Sequence, residues 1–121
     1  MGLDMFANYP FAAPAANVDF EVENCGELHY WRKHPNLHGW MEAVYRAKGG
    51  WEASFNCVNL VLTAVDLDRL GADVRAGNLP PTPGSFFGES DGSEIGDDLR
   101  FIAKAREAIA AGLTVFYSSW W

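Results

Sequence analysis

Cysteine, positive charge and long apolar runs are all scarce in this sequence, and each scarcity removes a class of answer. Cys25 and Cys57 are the only cysteines in 121 residues, too few for a disulfide framework. Both are expected to remain thiols and to pack as small buried hydrophobes. Lysine and arginine number 9 against 16 aspartates and glutamates, a net charge of −7. That balance excludes direct nucleic-acid binding and adsorption to an anionic membrane, because both need a positive field. No stretch approaches the roughly eighteen apolar residues of a membrane span. The opening MGLDMFANYPF has no basic region followed by an apolar stretch of leader length, so a cytoplasmic location is expected. Met1 and Gly2 would suit a myristoylation start, but Phe6 stands where Ser or Thr is needed.

What is present is enough apolar material for a core. Hydrophobic residues make up 49% and aromatics 14% of the chain, a globular composition of a length that suits one domain over residues 1–121. Strands are expected at residues 2–6 and at 18–23, where Val18, Phe20 and Val22 alternate with Asp19, Glu21 and Glu23. The intervening YPFAAPAAN reads as a loop, and 27–32 is ambiguous between strand and helix. Pro35 suits the first position of a helix that carries Leu37, Trp40, Met41, Val44 and Tyr45 and stops at Gly49 and Gly50. Residues 56–62 read as a strand. Thr63 and Asp66 form a capping box for a second helix closed by Gly77. Ser85 to Phe87 is a short extended piece, and Ser93 or Glu94 opens a third helix that Gly112 ends. LTVFYSS is the last strand. This order predicts an α+β fold: a small, mostly antiparallel sheet with about three helices packed on one face.

Charge is distributed unevenly. Residues 29–48 hold Arg32, Lys33, Arg46 and Lys48 against Glu42 alone, a local +3 that leaves −10 on the rest of the chain. Within that stretch, YWRKHPNLHGW sets Arg32 and Lys33 just ahead of Pro35, near a helix N-terminus that also attracts anions. Arginine offers a planar fork and lysine a point charge to a phosphate or carboxylate, and Trp31 can stack on a ring. The plain alternative is a solvated edge anchored by its aromatics. His29, His34 and His38 do not have the spacing of a metal site, so no metal and no cofactor are expected. No GxSxG elbow surrounds Ser118 or Ser119, and GESDGSE lacks the lysine of a phosphate loop.

Four phrases taken together, MGLDM, YWRKHPNLH, LPPTPGSFFGESDGSE and FYSSWW, resemble a family of small proteins encoded by bacteriophages and prophages, some of which carry a phosphoglycerate kinase label. Ser85 departs from the pattern, which has a third phenylalanine there. The kinase label has no physical support: no glycine, lysine and metal-ligand set cradles nucleotide phosphates. What the resemblance implies is an accessory protein of the host cytoplasm, with Arg32, Lys33, Asn36, His38, Tyr117 and Ser119 as polar residues on its motifs.

The leading expectation is a non-enzymatic module that binds a small anionic, nucleotide-like ligand. Arg32 and Lys33 hold the negative group, His38 tunes the site with pH, Tyr117 and Ser119 are hydroxyl donors from the last strand, Asn36 is a further polar member, and Trp31 or Trp120 stacks. The alternative is an interaction factor that engages a host protein through its acidic surface or through Trp120 and Trp121. A third is a small enzyme using His38 and Tyr117 for acid–base chemistry, although no catalytic set is recognisable in the sequence.

Overall fold

A computed structural model describes residues 2–121; Met1, and with it the start of the MGLDM phrase and of the myristoylation reading, lies outside the described residues. Strand β1 (Asp4–Pro10) pairs with β2 (Cys25–Arg32) on one side and with the last strand, β4 (Val115–Trp120), on the other. The short β3 (Leu60–Leu62) closes the row, giving the order β2-β1-β4-β3 with every neighbour antiparallel. Helices α1 (Pro35–Ala47), α2 (Ala64–Ala76) and α3 (Ile95–Ala110) complete the α+β fold. Among the described residues no helix is long and apolar enough to cross a membrane.

Alternation along the strands makes the sheet two-faced. Leu3, Met5 and Ala7 are fully buried beside Trp31, Leu60, Leu62, Val115 and Tyr117, and this layer meets Leu37, Met41, Leu67, Leu70, Phe101 and Ile102 of the helices. The opposite face carries a smaller cluster, Phe20 with Val61 and Phe116, flanked by Val22.

That smaller cluster corrects one expectation. Residues 18–23 are not a strand: only Val18 makes a bridge, to Leu60, and Asp19 turns the chain out of extended geometry at φ 54°. The Asp19 carboxylate is held there by the Tyr45 hydroxyl and the Trp51 N–H. The alternating segment is therefore a strap over the outer face, with Phe20 meeting Phe116 edge-on at 5.5 Å. The ambiguous stretch is the real strand, β2, and β1 continues through Tyr9 and Pro10, where the first proline ends its pairing. Of residues 56–62 only the last three pair, because Cys57 sits at φ 58°. Ser85 and Phe86 form a turn, with Phe86 at φ 62°. Cys25 and Cys57 are exposed, the reverse of the packing expected of them.

The helices follow their punctuation. Pro35 opens α1. Thr63 and Asp66 form the reciprocal capping box of α2, and Gly77 closes it at φ 70°, a left-handed position that favours glycine. Asp66 also receives the Lys48 ammonium, which ties the end of α1 to the start of α2. Helix α3 begins without a side-chain cap, since Ser93 bonds Asp91 rather than the helix. Arg106 reaches Asp68 of α2 at 2.7 Å.

Thr63→Ala is expected to lower unfolding stability by about 1 kcal/mol. Asp68→Ala, which removes only an exposed ion pair, is expected to cost less than about 0.5 kcal/mol. Urea denaturation of both variants at neutral pH checks the contrast.

Candidate functional site

Arg32 and Trp120 are the last residues of β2 and β4, and both pair with Asp4 of β1. Directly opposed residues leave an antiparallel sheet on the same face, so the three side chains form a row across three strands. That face is the one turned away from the helices. The row borders a hollow of about 340 Å³ lined by Gly2, Asp4, Arg32, Trp120 and Trp121.

Charge in the hollow is organised around Asp4. Its Oδ1 accepts from the Tyr30 hydroxyl at 2.6 Å and from Arg32 Nη1 at 2.7 Å. The tyrosine bond first, and the guanidinium with it, hold the Asp4 carboxyl below its ordinary range. The other guanidinium nitrogen lies over Gly2, where a Cβ would come within 2.7 Å of Arg32 Nη2 and 3.2 Å of Lys33 Cε. The absent side chain at position 2 thus lets two cations converge on one patch of backbone. Trp120 is 67% exposed, while Trp121 is tied down by Asn56, which bonds both its backbone N–H and its carbonyl, and by its indole N–H to the Phe55 carbonyl.

Alternation separates the remaining candidates from this patch. Trp31 precedes Arg32 and faces inward, 4% exposed, with its indole N–H donating to Asp98 at 3.1 Å. Ser119 precedes Trp120 and is likewise buried, and Tyr117 is fully enclosed. Asn36, half-buried, receives the Thr82 N–H on its side chain and gives its own backbone N–H to Ser90 Oγ. The structure therefore gathers Arg32, Lys33 and Trp120 at the surface and places Trp31, His38, Tyr117 and Ser119 in the interior. Lys104 and Arg106 add no charge to the hollow, since they bond His29 and Asp68.

His38 and Tyr117 do meet, at 2.7 Å between Nδ1 and the phenol oxygen, inside the core. His38 packs 4.8 Å from Phe55 and edge-on to Phe87. Burial pushes His38 down to about 4, against a smaller opposing contact with the Phe55 backbone. Burial likewise pushes the Tyr117 phenol well above its ordinary range, so the phenol keeps its proton and donates to a neutral imidazole.

Gly2 and Asp4 escaped the sequence reading as site residues, and Trp121 entered it only beside Trp120 as an interaction residue. The signal available for Asp4 was its place in a short alternating run at the chain start, but nothing in the sequence paired it with Arg32, 28 positions away. No family model matches the chain, and no curated protein or solved structure is significantly similar to it. The hollow is accordingly interpreted from its own chemistry.

The buried imidazole has a thermodynamic signature. The folded His38 value lies below the ordinary 6.5, so its contribution to stability is complete above pH 6.5 and is lost as pH falls toward 4, where only the unfolded chain takes up the proton. The loss is expected to approach about 3 kcal/mol. Denaturation curves of wild type and His38→Gln at pH 7, 5.5 and 4 check it: the variant's stability should fall less steeply through that window.

Proposed function

We propose that this chain is a binding module for a small ligand that joins an anionic group to a flat ring, of nucleotide type, and that it binds in the hollow between Arg32 and Trp120. The observation that carries the reading is the row Arg32, Asp4, Trp120 at one end of the exposed sheet face, with Lys33 drawn in over Gly2. Arg32 spends one edge of its fork on Asp4 and keeps the other for a phosphate or carboxylate. Lys33 supplies the excess of positive charge, since Asp4 offsets Arg32. The exposed Trp120 indole offers a face on which a base can stack. A volume of about 340 Å³ fits a mononucleotide-sized ligand better than a polymer.

Asp4 orients the guanidinium before the ligand arrives, which reduces the ordering cost of binding. The interior hydroxyls of Tyr117 and Ser119 support the last strand from beneath. The chain's net negative charge disfavours polyanions, so selectivity for a short, singly anchored anion follows from the overall charge as well as from the hollow's size.

Calorimetry with a panel of nucleoside monophosphates is expected to show saturable binding that weakens as salt is raised. Arg32→Ala and Trp120→Ala are each expected to weaken it by about tenfold, equivalent to about 1.4 kcal/mol. Absence of heat with every member of the panel, or unchanged affinity in Arg32→Ala, overturns the proposal.

A further inference from the structure

Behind the β2–α1 junction a second group of side chains forms one continuous hydrogen-bonded chain that the hollow does not use. His34 stands at the N-cap of α1 and is 3% exposed. Its Nδ1 lies 2.6 Å from Ser90 Oγ, and its Nε2 lies 2.8 Å from Asp98 Oδ2. Asp98 is 1% exposed, and its other oxygen accepts the Trp31 indole N–H at 3.1 Å.

The partners suit one arrangement. A carboxylate only accepts, so a neutral imidazole here carries its hydrogen on Nε2 and turns the Nδ1 lone pair to the serine. Ser90 Oγ accepts the Asn36 backbone N–H at 3.1 Å, which leaves its own hydrogen for His34 Nδ1 and one lone pair unspent. A hydroxyl, an imidazole base and a buried acid that orients the base are thus joined in order.

Three further features suit this group to chemistry. Ser90 is half-buried and opens on a cleft of about 220 Å³ whose walls include Asn36, Val74, Leu79, Glu94 and Ile95. The loop that carries Ser90 is fixed by its neighbours, for Glu94 accepts the backbone N–H groups of Asp91 and Gly92 at 3.2 and 3.0 Å. The N-terminal end of the 13-residue α1 points its positive dipole at the serine oxygen through Asn36.

We propose that Ser90, His34 and Asp98 act as nucleophile, base and orienting acid in hydrolysis of a small ester. Ser90 Oγ attacks the carbonyl carbon as its proton passes to His34 Nδ1. The intermediate collapses, the ester C–O bond breaks, and the departing alcohol takes that proton. Water then attacks the acyl-serine, giving its proton to His34; the carboxylic acid leaves and the Ser90 hydroxyl is restored. Asp98 and Trp31 position the imidazole and do not touch substrate. The cleft's volume limits the substrate to a small ester, and Glu94 on its wall disfavours anionic substrates.

The test uses the full chain with a small fluorophosphonate and, separately, p-nitrophenyl acetate. Expected are a single covalent adduct that peptide mapping places on Ser90, and ester hydrolysis that this adduct abolishes. His34→Gln is expected to slow hydrolysis by about 100-fold or more. Trp31→Phe, which leaves the triad atoms in place, is expected to shift the pH–rate profile, a change that a purely bracing role for the chain does not produce. No adduct on wild type, an adduct on another residue, or hydrolysis that survives modification of Ser90 overturns the proposal. Mapping is done on the wild-type chain, so its outcome does not depend on any variant folding, and it is independent of nucleotide binding at Arg32.

Discussion

Along β2 and β4 successive side chains leave the sheet on opposite faces, and this alternation decides which chemistry each residue can join. Trp31 and Arg32 are neighbours in sequence, yet one reaches Asp98 in the core and the other reaches Asp4 on the outer face. Ser119 and Trp120 divide in the same way. Helices cover one face of the sheet, and the strap at residues 20–22 covers only part of the other, around Val61 and Phe116. The end of the outer face near Asp4 therefore remains open.

Burial on the helix side imposes a second requirement. Aromatic residues fill much of that layer, and those with polar tips lose water when they enter it. Each has a partner: Trp31 on Asp98, Trp40 on Asp73, Tyr45 on Asp19, Tyr117 on His38. Among the described residues no buried side-chain nitrogen or oxygen lacks a hydrogen bond. Acidic residues supply three of these partners, so part of the chain's negative excess serves as the acceptor set of an aromatic core.

The helices were legible because their ends are written locally. Pro35, the Thr63 and Asp66 pair, and Gly77 each act within a turn of where they stand. Strands were legible only where alternation coincided with pairing. In 18–23 the alternation is real, but only Val18 bridges the sheet edge, at Leu60, while Phe20 and Val22 cover the outer face, and the left-handed Asp19 is set by Tyr45 and Trp51, distant in sequence. Arg32, Lys33 and Trp120 stood out individually through charge and size. Their grouping with Gly2 and Asp4 depends on register, which pairs residue 4 with residues 32 and 120 at once. The Ser90, His34 and Asp98 chain was harder to see, for Ser90 and Asp98 lie 56 and 64 positions from His34, and the three stand in a loop, at a helix cap and on α3. A serine inside an acidic turn carries no local mark of a base waiting across the fold.

Lys33 links the two regions. It adopts φ 56° between the end of β2 and the start of α1, a left-handed conformation that costs a non-glycine residue roughly 1 kcal/mol. Its backbone N–H is held by the Leu3 carbonyl at 2.8 Å, so the turn is fixed to the residue just ahead of β1. Trp31 and His34 on either side are both anchored by Asp98, which resists relaxation of the strained residue. The turn is what allows four consecutive side chains to serve different surroundings: Trp31 and His34 on the buried acid, Arg32 and Lys33 over Gly2. A flexible lysine at this position would blur both arrangements. The strain is accordingly balanced by anchors on each side, and the same Asp98 that orders the interior chain fixes the approach of the two cations to the hollow.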